Sequence, residues 1–176
     1  MTETEDLRGQ LVGALKSRAM LIATLYEELL AEIGAERAEA ILARALHTRG
    51  AAAGRRFFGR FAPADFAGLQ RAFVDFLPDR GRLFELDLRD CGADRAAASG
   101  TSGGFDLKFR TCPLKDAWVE AGVAPERLQT LCRISGALDV GTFEGAGFAI
   151  RNDTWTVGGE GCCNLQVRPR AAPAAG

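Results

Sequence analysis

The chain holds a single histidine, His47. That excludes any centre built on two or more imidazoles, and with it the histidine-rich metal sites. No Cys-x-x-Cys occurs, so neither a zinc ribbon nor a thioredoxin-type dithiol is encoded. There is no Gly-x-Gly-x-x-Gly opening a helix after a strand and no P-loop, which removes the common nucleotide cradles. No apolar run approaches the roughly 20 residues that a membrane span needs. The start, MTETEDLRG, lacks the basic and apolar regions of a secretory signal. Charge of one sign is lacking too: the formal net charge is -1, which draws in neither nucleic acid nor an anionic membrane. The densest basic stretch, RGAAAGRRFFGRF (49–61), reads as a solvated helix face with its aromatics turned inward.

What is present is ordinary for a globular domain. The 176 residues are 47% apolar and 26% charged, enough to bury a core without metal or disulfide staples. We expect one domain over residues 1–170, a disordered tail over 171–176 and a cytoplasmic location. In that compartment the five cysteines are free thiols.

Helical spacing of leucine and alanine runs from residue 5 to about 60, with a stop at Gly34 and an end at Pro63. A third helix, 64–77, carries Phe66, Leu69, Phe73 and Phe76 on one face and stops at Pro78. The period then changes. LFELDLRD (83–90) and FDLKFRTC (105–112) alternate as half-buried strands, and CGADRAAASGTSGG (91–104) is a loop between them. A short helix follows with Pro113 at its first position and Gly122 at its C-terminal cap. A longer helix spans 124–147, and strands at 148–157 and 163–168 flank the turn GGEG. The fold class is α+β: a helical N-terminal half packed on a four-stranded, mostly antiparallel sheet with two helices inserted between the strand pairs.

The candidate chemistry is carried by thiols and one carboxylate. Cys112 ends a strand just before a helix N-terminus, where backbone N–H groups and the helix dipole stabilise a thiolate. Against that, free cysteines commonly act as small buried hydrophobes. Cys132 and Asp139 are two helical turns apart and share a face with Ser135 and Gly136. A buried Asp139 would have a raised pKa suited to proton transfer, or would pair with an arginine such as Arg110 or Arg151. Cys162 and Cys163 are adjacent in a strand, so their side chains should point to opposite faces, Cys163 inward. Cys91 reads as incidental, His47 as structural, and Trp118 and Trp155 as core residues that could line a pocket.

The runs CPLKDAWVEAG, LCRISGALDVGTFEGAGF and GEGCCNLQVR, in that order, resemble the L-2-amino-thiazoline-4-carboxylic acid hydrolase family. The resemblance covers roughly residues 105–168 and maps that family's pattern onto Cys112, Cys132, Asp139 and Cys163. It implies a metal-independent, cofactor-free hydrolase that opens a small cyclic C–N/C–S ring. In that role Cys112 would be the nucleophile and Asp139 the acid or base, with Cys132 beside them. Cys163, Trp118 and an arginine, Arg110 or Arg133, would hold the substrate and its carboxylate. The partner is then a small molecule, not nucleic acid or membrane, and the long first helix could mediate a homodimer. Two other classes stay open: a small-molecule binding or sensing module, and a thiol-redox protein in which Cys112, Cys132 and Cys163 gather.

Overall fold

The computed structural model describes residues 3–62, 65–90 and 103–170. Cys91, most of the loop around it, Pro63 and the tail expected at 171–176 lie outside the described residues.

The N-terminal half is helical, as its periodicity requires. Helix α1 spans Glu3–Ile33 and α2 spans Ala35–Ala53. Gly34 separates them with φ of 82°, a left-handed value that a side chain would resist. Helix α2 runs on through a π turn, Gly54–Phe58, and a 3₁₀ turn, Gly59–Phe61. Across the basic stretch Arg55, Arg56 and Arg60 are exposed and Phe58 is buried, but Phe57 is exposed, so its aromatics do not all turn inward. Helix α3, Phe66–Phe76, is capped by Asp65, whose carboxylate accepts from the Gly68 N–H at 2.8 Å.

The strand expected from residue 83 begins later, at β1, Leu86–Asp90. The preceding Pro78–Phe84 forms irregular 3₁₀ structure with Asp79 and Arg80 at positive φ. Alternation at 83–85 therefore reflects one buried ring, Phe84, and not a pleat. Strand β2, Phe105–Phe109, buries alternate residues, with Phe105, Leu107 and Phe109 inward. Helix α4, Pro113–Glu120, and helix α5, Pro125–Gly145, follow, each with proline in its first turn. Strands β3, Ala149–Asp153, and β4, Asn164–Arg168, complete a sheet of order β1-β2-β4-β3 in which every pairing is antiparallel. Strand β3 ends at Asp153, short of Val157, because the chain turns toward the helices at Thr154 and Trp155.

Two cores result. One is phenylalanine-rich and lies between the sheet, α3 and the C-terminal half of α5; it includes Phe58, Phe73, Phe105, Phe143 and Phe148. Each such ring contributes on the order of 2–3 kcal/mol by leaving water. The other lies among α1, α2, α4 and α5 and centres on Trp118, Leu131 and Ile134. Helices α2 and α5 cross at backbone contact through glycine: a Cβ on Gly50 would fall 2.0 Å from the Leu138 carbonyl oxygen, and one on Gly141 2.1 Å from that of His47. This contact fixes α5 against the rest of the molecule.

Candidate active site

Cys112 packs against both cores. At that seam lies a cavity of about 190 Å³. A cavity of about 150 Å³ takes benzene, so this one suits a ligand of roughly eight heavy atoms, a small substituted ring. Its walls are mainly apolar, with Phe73, Phe84, Phe109, Leu114 and Leu138 among them. The polar groups facing it are few and specific.

Cys112 is the N-cap residue of α4. Its side chain closes no capping hydrogen bond, yet the N–H groups of Leu114 and Lys115 act on the sulfur. The largest influence is the hydrogen-bonding effect of the neighbouring Cys162 thiol, which also lies 4.0 Å from the Arg110 carbonyl oxygen. Together they outweigh burial and bring the Cys112 pKa down to about 7. The other described thiols behave oppositely. Burial, with the Cys112 charge behind it, pushes Cys132 up to about 12. Cys163 is raised chiefly by burial, and Cys162 is raised because its proton is shared with Cys112. One thiolate is favoured, and its neighbours stay protonated around it.

Helix α5 presents Cys132, Ser135 and Asp139 to the same cavity, as the seven-residue spacing requires. Asp139 pairs with neither Arg110 nor Arg151, which hold Asp87 and Asp153 respectively. Burial raises its pKa to about 7, the Cys112 charge adds to this, and Arg18 opposes it. The Cys112 thiol and the Asp139 carboxyl thus face one space and titrate in the same region, about 7. The buried hydroxyl of Ser135 has no hydrogen-bond partner among the described residues.

The opposite-face expectation for Cys162 and Cys163 fails. Both line the cavity, because the chain is bent at residues 161 and 162 before β4 begins. Phe109 accepts from the Cys162 N–H at 3.0 Å and donates to the Cys163 carbonyl at 2.9 Å. Two residues thus oppose one, a bulge-like arrangement that breaks strict alternation and re-aims side chains. Lys115 fastens α4 to this bulge by donating to the Gly161 carbonyl at 2.6 Å, and its ammonium lies 5.5 Å from the centre of the Trp155 ring.

Neither arginine expected to bind a carboxylate reaches the cavity. Arg110 is exposed and pairs with Asp87 at 3.0 Å. Arg133 points away toward Glu39, which it meets at 2.7 Å. Both follow from geometry the sequence carries: Arg110 alternates against inward Phe109, and Arg133 is one step round the helix from Cys132. Arg110→Gln and Arg133→Gln should each cost no more than about 1 kcal/mol in a denaturant titration. They should also leave the alkylation rate of Cys112 unchanged. The cations that do line the cavity are Arg18, from α1, and Lys115. No local motif marks Arg18; only the docking of α1 brings it there. Trp118 lines the wall, but its indole N–H is committed to the Ala19 carbonyl at 2.9 Å, so it offers a ligand only surface. His47 meets Glu144 at 2.6 Å, away from the cavity. Among the described residues no group of three or more His, Cys, Asp or Glu side chains could hold a metal, and no helix is long and apolar enough to cross a membrane.

Comparison with protein families gives a match to L-2-amino-thiazoline-4-carboxylic acid hydrolase over residues 14–167. The chain belongs to this family. The match takes in α2, α3 and most of α1 as well as the cysteine-bearing segments, so the helical half is part of the family's pattern. The name of this hydrolase family describes hydrolysis of a small sulfur–nitrogen ring acid. No curated protein matches the chain. Among solved structures, the phenol-responsive sensory domain of the transcription activator PoxR with phenol is similar at 16% identity and a TM-score of 0.49, covering 86% of this chain and 74% of that one. A trafficking protein particle complex subunit 3 from Naegleria fowleri, covalently bound to palmitic acid, is similar at 16% identity and a TM-score of 0.46, covering 89% and 97%.

Proposed function

We propose that the protein is a cysteine-dependent hydrolase that opens a small thiazoline- or amidine-like ring, with Cys112 as nucleophile and Asp139 as the proton carrier. One observation supports this above the others: a single ligand-sized cavity holds both an activated thiol and a carboxyl that keeps its proton to about neutrality. For a 2-amino-thiazoline the steps balance as follows. Asp139 protonates the ring nitrogen and makes the carbon between nitrogen and sulfur electrophilic. The Cys112 thiolate adds to that carbon. The ring carbon–sulfur bond then breaks and the sulfur departs as a thiolate, which takes up the second proton of the water that follows. Asp139, now a carboxylate, draws a proton from water, whose oxygen displaces the Cys112 sulfur. The product is the open-chain carbamoyl compound, one water heavier, and the enzyme is restored. The test is mass spectrometry of small molecules and intact protein after incubation with 2-amino-thiazoline-4-carboxylate. Product one water heavier, with an adduct mapping to Cys112, is expected; neither appearing would sink the reading.

The pH dependence is expected to be bell-shaped with its maximum near 7. The thiolate fraction rises through about 7 while the Asp139 acid fraction falls through the same region. The two limbs belong to the interacting pair and not to one residue each. Stability carries the mirror image. Between about pH 4 and 7 the folded chain holds the Asp139 proton that the unfolded chain has lost, so stability falls as pH rises. Between about pH 7 and 9 the folded chain has released the Cys112 proton that the unfolded chain keeps, so stability rises again. Asp139→Asn should raise stability at pH 8 by on the order of 2 kcal/mol and leave it little changed at pH 4, while turnover falls. Urea titrations at the two pH values check this.

A further inference from the structure

The cavity wall carries three formally charged side chains among the described residues: Arg18, Lys115 and Asp139. With Asp139 in its acid form and Cys112 as thiolate, two cations face one anion, and the empty cavity carries one positive charge in excess. Lys115 is held by the Gly161 carbonyl and the Trp155 ring. Arg18 is different. It stands on α1 with its side chain exposed, yet borders the cavity and acts on Asp139. It is therefore at the mouth, with the apolar wall beyond it.

We propose that Arg18 is the anion-recognition residue of this cavity: its guanidinium, backed by Lys115, binds the single carboxylate of a small ring acid whose ring lies inward against the apolar wall and the sulfur of Cys112. The inference takes the ring-opening reading for the ligand's body and adds what selects its charged end. A guanidinium suits this role because it offers two parallel N–H donors to a carboxylate. The size of the cavity leaves room for one ring and one carboxylate but not for a long chain.

The test needs no knowledge of the substrate. Iodoacetate and iodoacetamide have nearly the same shape, and both transfer a carbon to the Cys112 thiolate as iodide leaves. They differ in that only iodoacetate carries a carboxylate. Their rate ratio at Cys112, read by peptide mass spectrometry, is compared with the ratio for glutathione at the same pH. The native protein should favour iodoacetate by about tenfold or more over the glutathione reference, less so as salt is added. Arg18→Gln should bring the ratio back toward the reference, and Arg18→Lys should retain most of it. Dividing by the iodoacetamide rate removes any change in thiol reactivity, and the exposed position of Arg18 keeps the fold intact. A native ratio no higher than that of glutathione overturns the proposal. So does a raised ratio that Arg18→Gln leaves unmoved, which would assign the effect to the N-terminus of α4. Turnover of 2-amino-thiazoline-4-carboxylate is measured on the same preparations. A ratio that depends on Arg18 without turnover keeps the subsite and removes the ring-opening reading; turnover with an indifferent ratio does the reverse.

Discussion

Cys112→Ser should lose turnover of the ring substrate by about a thousandfold or more while unfolding, at pH 6, at nearly the same denaturant concentration as the parent. The size of the loss follows from what holds the sulfur. The N–H groups of Leu114 and Lys115 and the thiol of Cys162 all favour a charged atom at this position. A hydroxyl placed there stays protonated near neutrality, so the same donors find nothing to stabilise. The alternative chemistry, in which Asp139 activates water directly and the thiols only shape the pocket, predicts that Cys112→Ser keeps most of its activity. Cys132→Ser separates nucleophile from neighbour: its thiol is held protonated, with a pKa of about 12, so its loss should leave the chemical step in place. Substantial activity in Cys112→Ser would end the covalent mechanism.

The second large effect concerns stability. Gly50→Ala, Gly54→Ala and Gly141→Ala should each cost about 3 kcal/mol or more, a large share of a small domain's total. In each the new Cβ lies within about 2 Å of a carbonyl oxygen on the facing helix: Leu138, Thr142 and His47 respectively. Backbone cannot swing aside as a side chain does, so α2 and α5 must separate along their length. Gly13→Ala is the control. It lies exposed in α1 with nothing within 4 Å of an added Cβ, and it should stabilise by about 0.5–1 kcal/mol through helix propensity. Guanidinium titrations of the four variants decide the matter. A uniform response would mean that the α2–α5 crossing tolerates separation.

The parts of the site that were legible in the sequence are those fixed by local geometry. Proline after Cys112 marks a helix start, and seven residues between Cys132 and Asp139 put both on one helix face. The sheet was legible for the same reason, since Phe105, Leu107 and Phe109 alternate over a short span. What alternation could not anticipate is the bulge-like pairing that turns Cys162 and Cys163 together, because it arises from how Phe109 meets the incoming strand. Arg18 was illegible for a deeper reason. It is one of many charges on a 31-residue helix, and its place at the cavity depends on where that helix docks. Arg110 and Arg133 drew notice by standing next to interesting residues in sequence, when in both strand and helix the immediate neighbour faces elsewhere.

The cavity draws its two sides from separate parts of the chain. The thiols and the carboxyl hang from α4, α5 and the bulge, whose positions are set by backbone hydrogen bonds and by glycine contacts that admit no side chain. The facing wall, Phe73, Phe76, Leu77 and Pro78, comes from α3 and the turn after it, and holds none of the hydrogen bonds that position Cys112. Phe73 also belongs to the core, so substitutions at Phe76, Leu77 and Pro78 are the ones expected to change what fits while leaving Cys112 and Asp139 in place. The shape of the space and the placing of the polar groups that face it are thus set by separate parts of the chain.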